Sequence, residues 1–304
     1  MDIELIKDSL RFALGIVYDL EIPSQVTRCI TMMKSTQLNT TPIVMSFAGH
    51  DPSGGAGIQA DIETLMSLGC HCTPIVTALT AQDSVNVKDF KATNASLLVE
   101  QARAVLEDMP VAAFKIGMIG SVENAEAIHT IIQEYANIPV ILDPVLAAGG
   151  GSELSSGQLI DAINHLIIPK SKLVTPNTVE ARRLCRDADS LDACAQMLMD
   201  QGCEYVLLTG GHEAGTMITN SLWRSREKVG SYDWRRLAGD YHGTGCTLAS
   251  ACAGYIAHGA SIESAVRDAQ QFTWQAVAHA RRLGMGQAIP NRLFWSDNSD
   301  QSSH

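Results

Sequence analysis

The stretch YHGTGCTLASACAGYIAHG, residues 241–259, joins a glycine-rich start to a run of small and apolar residues. Leu248, Cys252 and Tyr255 recur at helical spacing and Gly259 is a typical stop signal, so the sequence predicts a buried helix. A glycine inside a helix costs about 1 kcal/mol relative to alanine. The two glycines at the start of this helix therefore indicate a role other than helix stability.

The start of this helix is a candidate anion site. A helix N-terminus exposes unpaired N–H groups and carries partial positive charge, and glycines let the backbone approach an anion closely. We interpret Gly243, Thr244 and Gly245 as an anion hole for a phosphoryl group. The positive field is expected to lower the pKa of the Cys246 thiol, so that it accepts a proton from an attacking hydroxyl. The alternative for Cys246 is a small buried residue in helix packing.

The composition limits the classes of function. The chain has 304 residues, 46% of them apolar and 18% charged, which is typical of a globular protein with a large core. Its formal net charge of −11 argues against nucleic acid or an anionic membrane as the main partner. No apolar run is long enough for a transmembrane helix, and the charged N-terminus is unlike a secretory signal. The eight cysteines show no disulfide framework, so a reducing, cytoplasmic location is expected.

Strand and helix patterns alternate from Pro42 onward. This alternation predicts an α/β fold with a mainly parallel sheet covered by helices on both faces. The predicted strands are 43–48, 73–79, 113–116, 139–142, 173–174 and 205–208. The predicted helices are 58–68, 96–106, 122–135, one from about 179, 247–258 and 261–282.

Three parts of the chain are predicted to differ in organisation. Residues 1–40 are interpreted as an N-terminal extension outside the core, with a translation start at Met32 or Met33 as a further hypothesis. Residues 41–296 form one α/β domain, and residues 297–304 form a polar tail.

The loop after the first strand, GHDPSGGAGIQAD (49–61), is rich in glycine. It lacks the Lys-Ser/Thr of a Walker A loop. Its segment 55–60 matches the dinucleotide fingerprint G-x-G-x-x-A, and Asp83 follows at a suitable distance. A dinucleotide-dependent oxidoreductase is therefore one alternative, although the loop is longer than the tight turn of that fingerprint. A flexible glycine-rich turn is the other.

Acidic and amide side chains follow two later strands. Asp143 ends the strand at 139–142, and Asn177 and Glu180 follow the strand at 173–174. Ligands of open α/β sheets bind beyond the carboxyl ends of the strands, and Mg²⁺ prefers oxygen ligands, so Asp143 and Glu180 are candidate metal residues. Alternatively, Asp143 caps a turn and Glu180 lies in the first turn of a helix, where the dipole favours it.

Six motifs together resemble one enzyme family, the hydroxymethylpyrimidine/phosphomethylpyrimidine kinases of thiamine biosynthesis, within the ribokinase-like superfamily. They are AGHDPSGGAGIQAD (48–61), TALTAQDS (77–84), KIGMIGS (115–121), VILDPVL (140–146), TPNTVEA (175–181) and HGTGCTLAS (242–250). The resemblance implies a three-layer α/β/α sandwich. It also implies ATP- and Mg²⁺-dependent phosphorylation of 4-amino-5-hydroxymethyl-2-methylpyrimidine and then of its monophosphate, by an enzyme that is commonly a homodimer.

The resemblance also implies roles for individual residues. Asp61 and Gln82 match the positions that hold the amino group and ring nitrogens of the pyrimidine. Asp143 and Glu180 match the Mg²⁺–phosphate positions, with Asn177 beside them, and Cys246 matches the catalytic base. The positions that match the lining of the substrate pocket are Gly49, Ala56, Met118 and Val145.

Two departures and one close relative qualify the resemblance. Family members often carry a lysine at the positions of Thr209 and of the loop Gly149–Gly151, so two phosphate-binding cations are missing here. Lys115 or arginines from loops are candidates to replace them. A pyridoxal-type kinase of the same superfamily is the nearest alternative, and the pairing of Gln82 with Asp61 favours the aminopyrimidine. A pyrimidine-binding sensor without catalysis is a non-enzyme alternative.

Overall fold

The computed structural model describes residues 41–210 and 215–298. The predicted N-terminal extension, residues 1–40, lies outside these residues, as does most of the predicted tail at 297–304. Everything below concerns the described part of the chain.

The described strands form one nine-stranded sheet in the order β3-β2-β1-β4-β5-β6-β7-β8-β9. They are β1 (Ile43–His50), β2 (His71–Gln82), β3 (Val87–Ala92), β4 (Val111–Ile116), β5 (Val140–Leu142), β6 (Leu173–Val174), β7 (Tyr205–Leu208), β8 (Met217–Arg224) and β9 (Glu227–Arg235). The pairings from β2 through β7 are parallel, while β3, β8 and β9 join antiparallel at the two edges. The mainly parallel sheet is confirmed, and the three edge strands were not predicted.

Eight α-helices connect and cover these strands in the described part of the chain. They are α1 (Gly57–Ser67), α2 (Ala95–Asp108), α3 (Val122–Glu134), α4 (Gly157–Ala162), α5 (Thr178–Leu184), α6 (Leu191–Asp200), α7 (Thr244–Ala257) and α8 (Ile262–Ala278). The predicted helices at 58–68, 96–106, 122–135, 247–258 and 261–282 are all present, with shifted ends. A π-helical turn and a short 3₁₀ turn follow α4.

Two apolar cores lie on opposite faces of the sheet, which makes the architecture a three-layer sandwich. One core joins the sheet to α2, α3, α5 and α6, and the other joins it to α1, α7 and α8. Successive residues of a strand point to opposite faces, so the neighbours Val44 and Met45 lie in different cores. Because both faces are covered, the central strands are mainly apolar rather than alternating, and Ser46 of β1 and Lys115 of β4 are buried exceptions.

The topology brings several loops together at the carboxyl ends of the parallel strands. β1 pairs with β2 on one side and with β4 on the other. The connections from β1 to β2 and from β3 to β4 therefore run in opposite directions across the sheet. Crevices form at such points, beyond the carboxyl ends of the strands. The loops after β1, β5 and β6 therefore meet here, and the N-terminus of α7 faces them.

Candidate active site

A cavity of about 600 Å³ lies beyond the carboxyl ends of the parallel strands. Its lining includes every predicted site residue except Asp61. These are Gly49, Ala56, Gln82, Met118, Asp143, Val145, Asn177, Glu180, Gly243, Thr244, Gly245 and Cys246. The sequence prediction thus identified which residues meet, although they come from loops far apart in the chain.

The N-terminus of α7 explains the glycines of the opening stretch. Gly243 is the N-cap residue with φ at +88°, a left-handed conformation that side chains disfavour, and no side chain caps this helix. A Cβ on Gly243 would lie 2.0 Å from the Gly55 carbonyl oxygen, so a side chain cannot fit. The backbone of the first turn faces the cavity, and its uncapped N–H groups can receive an anion.

Asp61 takes a different position from the one expected. Its side chain is fully buried in α1 and does not line the cavity. Lys115 Nζ lies 2.9 Å and 3.0 Å from its two oxygens, and the Ser46 and Ser250 hydroxyls donate to it at 2.6 Å each. Three donor groups thus make four contacts, which occupy the lone pairs that a carboxylate offers. The structure therefore makes Asp61 a partner of Lys115, and its direct contact with a pyrimidine stays a prediction.

Lys115 is the residue between Asp61 and the cavity. It is the penultimate residue of β4, its side chain is fully buried, and it lines the cavity. Burial alone would lower its pKa, but the Asp61 carboxylate and then Cys246 and Asp143 raise the pKa above its usual value. Lys115 is therefore a permanent positive charge beneath the site, held in place by its ion pair.

The surroundings of Cys246 contradict the expectation that the pKa of its thiol is lowered. Burial raises the pKa of its thiol above the usual range; Lys115 opposes this shift, and the Asp143 and Asp61 carboxylates reinforce it. The field at the helix N-terminus therefore does not leave a thiolate in the unliganded site at neutral pH. Cys246 is a neutral thiol there, hydrogen-bonded to Asp143.

Asp143 and Glu180 lie close enough to influence each other. Burial raises the pKa of Asp143 to about 6, although Lys115 opposes the shift. Burial and the Asp143 charge raise the pKa of Glu180 to about 8. Asp143 and Glu180 are therefore a pair of buried carboxylates whose ionised forms a bound cation would favour.

Glu180 and Asn177 also have a structural role. The Asn177 side chain caps α5, accepting from the N–H groups of Val179 and Glu180, and Glu180 Oε2 accepts from the Asn177 N–H at 3.0 Å. This capping box confirms the alternative interpretation, in which Glu180 lies in the first turn of a helix. Both residues nevertheless line the cavity, so the cap fixes where their remaining polar atoms lie.

The end of the cavity nearest β1 and β2 is shaped by Gly49, Met118 and Gln82. A Cβ on Gly49 would lie 2.9 Å from Met118 Sδ, so the glycine keeps this wall flat. The side-chain amide of Gln82 lies 2.9 Å from His242 Nε2, which in turn lies 2.8 Å from Asp51 Oδ2. Asp51 and His242 were not predicted as site residues, although both stand inside the quoted motifs.

The other end of the cavity lies between β8, β9 and α8. Asn220 Nδ2 and Trp234 Nε1 both donate to Gln270 Oε1, at 2.8 Å and 3.0 Å. Arg235 and Arg236 line this end as well. None of these residues was predicted, because β8 and β9 were not recognised as strands.

Arg292 joins the two glycine-rich loops from behind the site. Its side chain is buried, with Nη2 donating to the Gly55 carbonyl at 2.5 Å and Nε to the Thr247 hydroxyl at 2.9 Å. Its Nη1 donates to Glu63 of α1 at 3.0 Å. Nothing local in the sequence marks this residue, since all its partners are distant in the chain.

The two positions that lack the family's lysines have different surroundings. Thr209 lines the cavity, and its hydroxyl contacts the Pro176 carbonyl at 3.5 Å. Gly150 packs so closely that a Cβ would lie 2.5 Å from both the Val85 carbonyl oxygen and Asn86 Cγ. A lysine at Gly150 would therefore displace that contact.

The dinucleotide alternative finds no support at Asp83. Its carboxylate accepts from the Val85 and Asn86 N–H groups and pairs with Lys88, and it does not line the cavity. It is therefore not available to hold a ribose in the cavity.

Two searches cover only the described residues. No helix among them combines the length and apolarity needed to cross a bilayer. No group of three or more His, Cys, Asp or Glu side chains in that part of the chain is arranged to hold a metal ion.

Comparison with known proteins agrees with the geometry. The family model described as phosphomethylpyrimidine kinase matches residues 51–291. The hydroxymethylpyrimidine/phosphomethylpyrimidine kinase of Mycobacterium tuberculosis is 35% identical over 264 residues, covering 84% of this chain and 95% of that protein. The thiamine biosynthesis bifunctional protein ThiED of Geobacter sulfurreducens is 35% identical over 259 residues, 84% of this chain and 53% of that longer protein.

A solved structure also matches closely. The pyridoxal kinase of Staphylococcus aureus in complex with AMP-PCP superposes with a TM-score of 0.75 at 25% identity, covering 84% of this chain and 95% of that one. The fold is thus ribokinase-like, as expected. With a matching family model across most of its length and full-length relatives above 30% identity, the chain belongs to the phosphomethylpyrimidine kinase family and is a phosphotransferase.

Proposed function

We propose that this enzyme transfers the γ-phosphoryl group of ATP to 4-amino-5-hydroxymethyl-2-methylpyrimidine, and then to its monophosphate, in thiamine biosynthesis. The observation that carries the proposal is the continuity of the cavity. It joins an end that presents the amide of Gln82 to a middle section formed by the uncapped N-terminus of α7. The names of the relatives agree with this substrate.

The N–H groups at the start of α7 would stabilise the transferring phosphoryl group. Phosphoryl transfer needs little covalent help from the protein and depends mainly on positioning and on stabilising negative charge. The backbone of Gly243, Thr244 and Gly245 offers fixed donors in a partly enclosed site. Lys115 adds a positive charge that cannot leave, because Asp61 holds it.

Cys246 is proposed as the acceptor of the proton from the substrate hydroxyl. Since its pKa is raised in the unliganded site, the thiol must lose its own proton before it can act. Lys115 is the group that favours the thiolate. Rate should therefore depend on pH in a way that a carboxylate at position 246 would not show.

Asp143 and Glu180 would hold Mg²⁺, with the amide of Asn177 nearby. Both are buried carboxylates with raised pKa values, and oxygen donors of this kind suit Mg²⁺. When bound, the ion supplies neutralisation of phosphate charge. Binding of Mg²⁺ alone can be followed by calorimetry, and Asp143→Asn should abolish it.

Arg235 and Arg236 are proposed to substitute for the two missing lysines. Both line the cavity next to the end formed by Trp234 and Gln270. We assign that end to the nucleotide; the similar pyridoxal kinase of Staphylococcus aureus binds the ATP analogue AMP-PCP. A charged hydrogen bond contributes about 1.5–3 kcal/mol, so one arginine suffices to replace one lysine.

The test is a product analysis with ATP, Mg²⁺ and the hydroxymethylpyrimidine, with pyridoxal and NADH as competing ligands. Formation of both monophosphate and diphosphate supports the proposal. Faster phosphorylation of pyridoxal would make the enzyme a pyridoxal kinase. Tight NADH binding without any ATP effect on thermal melting would favour an oxidoreductase, and substrate binding without ATP consumption would favour a sensor.

We further propose a cytoplasmic homodimer. All seven cysteines in the described part of the chain are free thiols, which suits a reducing compartment. Light scattering at two protein concentrations tests the dimer, and a single species of 32.7 kDa would contradict it.

A further inference from the structure

The side-chain amide of Gln82 lies between two protein groups, one of which presents a hydrogen-bond donor and the other an acceptor. One end is 2.9 Å from His242 Nε2, and the other is 3.2 Å from Thr80 Oγ1. The oxygen and the NH₂ of a glutamine exchange places by a half-turn of the amide. Which end faces the ligand as acceptor and which as donor is therefore decided by His242 and Thr80.

Asp51 determines where the hydrogen of His242 lies. Burial would raise the pKa of Asp51, but hydrogen bonds from His242 and Ser53 outweigh it and lower the pKa to about 2. Asp51 is thus a carboxylate at neutral pH and can only accept hydrogen bonds. Its Oδ2 lies 2.8 Å from His242 Nε2, so that nitrogen must carry a hydrogen.

The imidazole ring has little freedom to rearrange. His242 is 7% exposed, its backbone N–H donates to the Ala288 carbonyl at 2.9 Å, and its ring lies next to Gly55. A Cβ on Gly55 would lie 2.3 Å from His242 Cδ2. The Nε2–H of His242 is therefore held toward Asp51, with the Gln82 amide beside it.

Because the single hydrogen on His242 Nε2 is donated to Asp51, that nitrogen has no lone pair to accept from the NH₂ of Gln82. The amide oxygen then faces His242 and the NH₂ faces Thr80. The Thr80 hydroxyl donates to the His50 carbonyl at 2.8 Å, so its oxygen is free to accept from that NH₂. The opposite orientation would set an amide N–H against the imidazole N–H. Only the first orientation gives each hydrogen an acceptor.

We propose that Asp51, His242 and Thr80 are positioning residues that lock the Gln82 amide in this orientation and so select the ligand ring. The locked amide keeps one oxygen lone pair and one N–H for the ligand. An amino group next to a ring nitrogen offers the complementary donor and acceptor, whereas the pyridine ring of pyridoxal carries no amino donor. The identity of the ligand in this inference rests on the proposed function. The hydrogen-bond network among the four residues does not depend on it.

The network can be tested without any substrate. Long-range ¹⁵N–¹H spectra of the histidine-labelled wild-type protein report which imidazole nitrogen is protonated, and His242→Phe assigns the signal. We expect hydrogen on Nε2. A His242 protonated at Nδ1 alone would overturn the proposal, whatever the enzyme phosphorylates.

The consequence for selection is tested by kinetics. His242→Phe should raise KM for the hydroxymethylpyrimidine by about 10–100-fold, with the larger part of the effect on KM rather than kcat, and should change KM for pyridoxal less than threefold. Thr80→Val should raise KM for the hydroxymethylpyrimidine about threefold, while the matched control Thr80→Ser, which keeps the hydroxyl, should not.

A double-mutant cycle separates positioning from general damage. If His242 acts through Gln82, His242→Phe should add almost nothing to the KM of Gln82→Ala. Fully additive effects, or equal losses for the pyrimidine and for pyridoxal, would overturn the proposal. A wild-type enzyme that phosphorylates neither the pyrimidine nor its monophosphate would instead reject the proposed function.

Discussion

Replacing Arg292 with methionine should destabilise the enzyme by about 3–5 kcal/mol, because a buried charge network would lose its centre. The guanidinium makes three hydrogen bonds, to the Gly55 carbonyl, the Thr247 hydroxyl and Glu63. Its own side chain is 0% exposed, and Glu63 is 30% exposed. Methionine keeps much of the apolar volume but none of the donors.

The magnitude follows from these contacts. Two of the bonds lie in the interior, and hydrogen bonds to a charged group contribute about 1.5–3 kcal/mol each. The pair with Glu63 is partly exposed to solvent and contributes about 1 kcal/mol or less. The packing that methionine retains offsets part of the sum. Arg292→Lys keeps the charge but not the planar fork, so it should lose about half as much.

Urea unfolding followed by circular dichroism measures the free energy of unfolding for each variant. Arg103→Met is the matched control, since Arg103 pairs with Glu134 at the surface with exposed fractions of 44% and 43%. Such an exposed pair contributes little to stability, because solvent screens it. If Arg292→Met were no more damaging than Arg103→Met, Arg292 would not hold the two loops together.

Three further predictions concern the site. Cys246→Ala should lower kcat by about 10²–10⁴-fold with little change in substrate binding, measured by steady-state kinetics and calorimetry, while Cys246→Asp should retain activity; an unchanged rate in the alanine variant removes its role as base. Because the pKa of the Cys246 thiol is raised, the thiolate fraction and kcat/KM of the wild type should rise about tenfold per pH unit between pH 7 and 9, and a flat profile would contradict this. Asp61→Leu should cost about 3–5 kcal/mol by leaving Lys115 buried without its counter-ion, whereas adding Lys115→Met should restore most of that stability in urea titrations; a double variant as unstable as the single one would argue against the pair.

The sequence predicted the central elements because their local patterns are strong. The apolar run of β5 and the paired residues of β6 are buried on both faces and flanked by clear loop signals. The edge strands were missed for the opposite reason. β3 reads VKDFKA and β9 reads EKVGSYDWR, and both are largely exposed, so neither shows an apolar pattern. Their pairing depends on β2 and β8, which local sequence does not reveal.

The same contrast separates the site residues that sequence could place from those it could not. Gln82 and Asp61 carry similar polar groups in neighbouring motifs, and both were expected to touch the ligand. Gln82 lines the cavity, while Asp61 is enclosed by Lys115, Ser46 and Ser250. A sequence motif indicates that a polar side chain lies near the site. Its hydrogen-bond partners in the fold decide whether it faces the ligand or other protein groups. For Asp61 that partner is 54 residues away, and its charge is what turns a substrate candidate into the anchor of a cation.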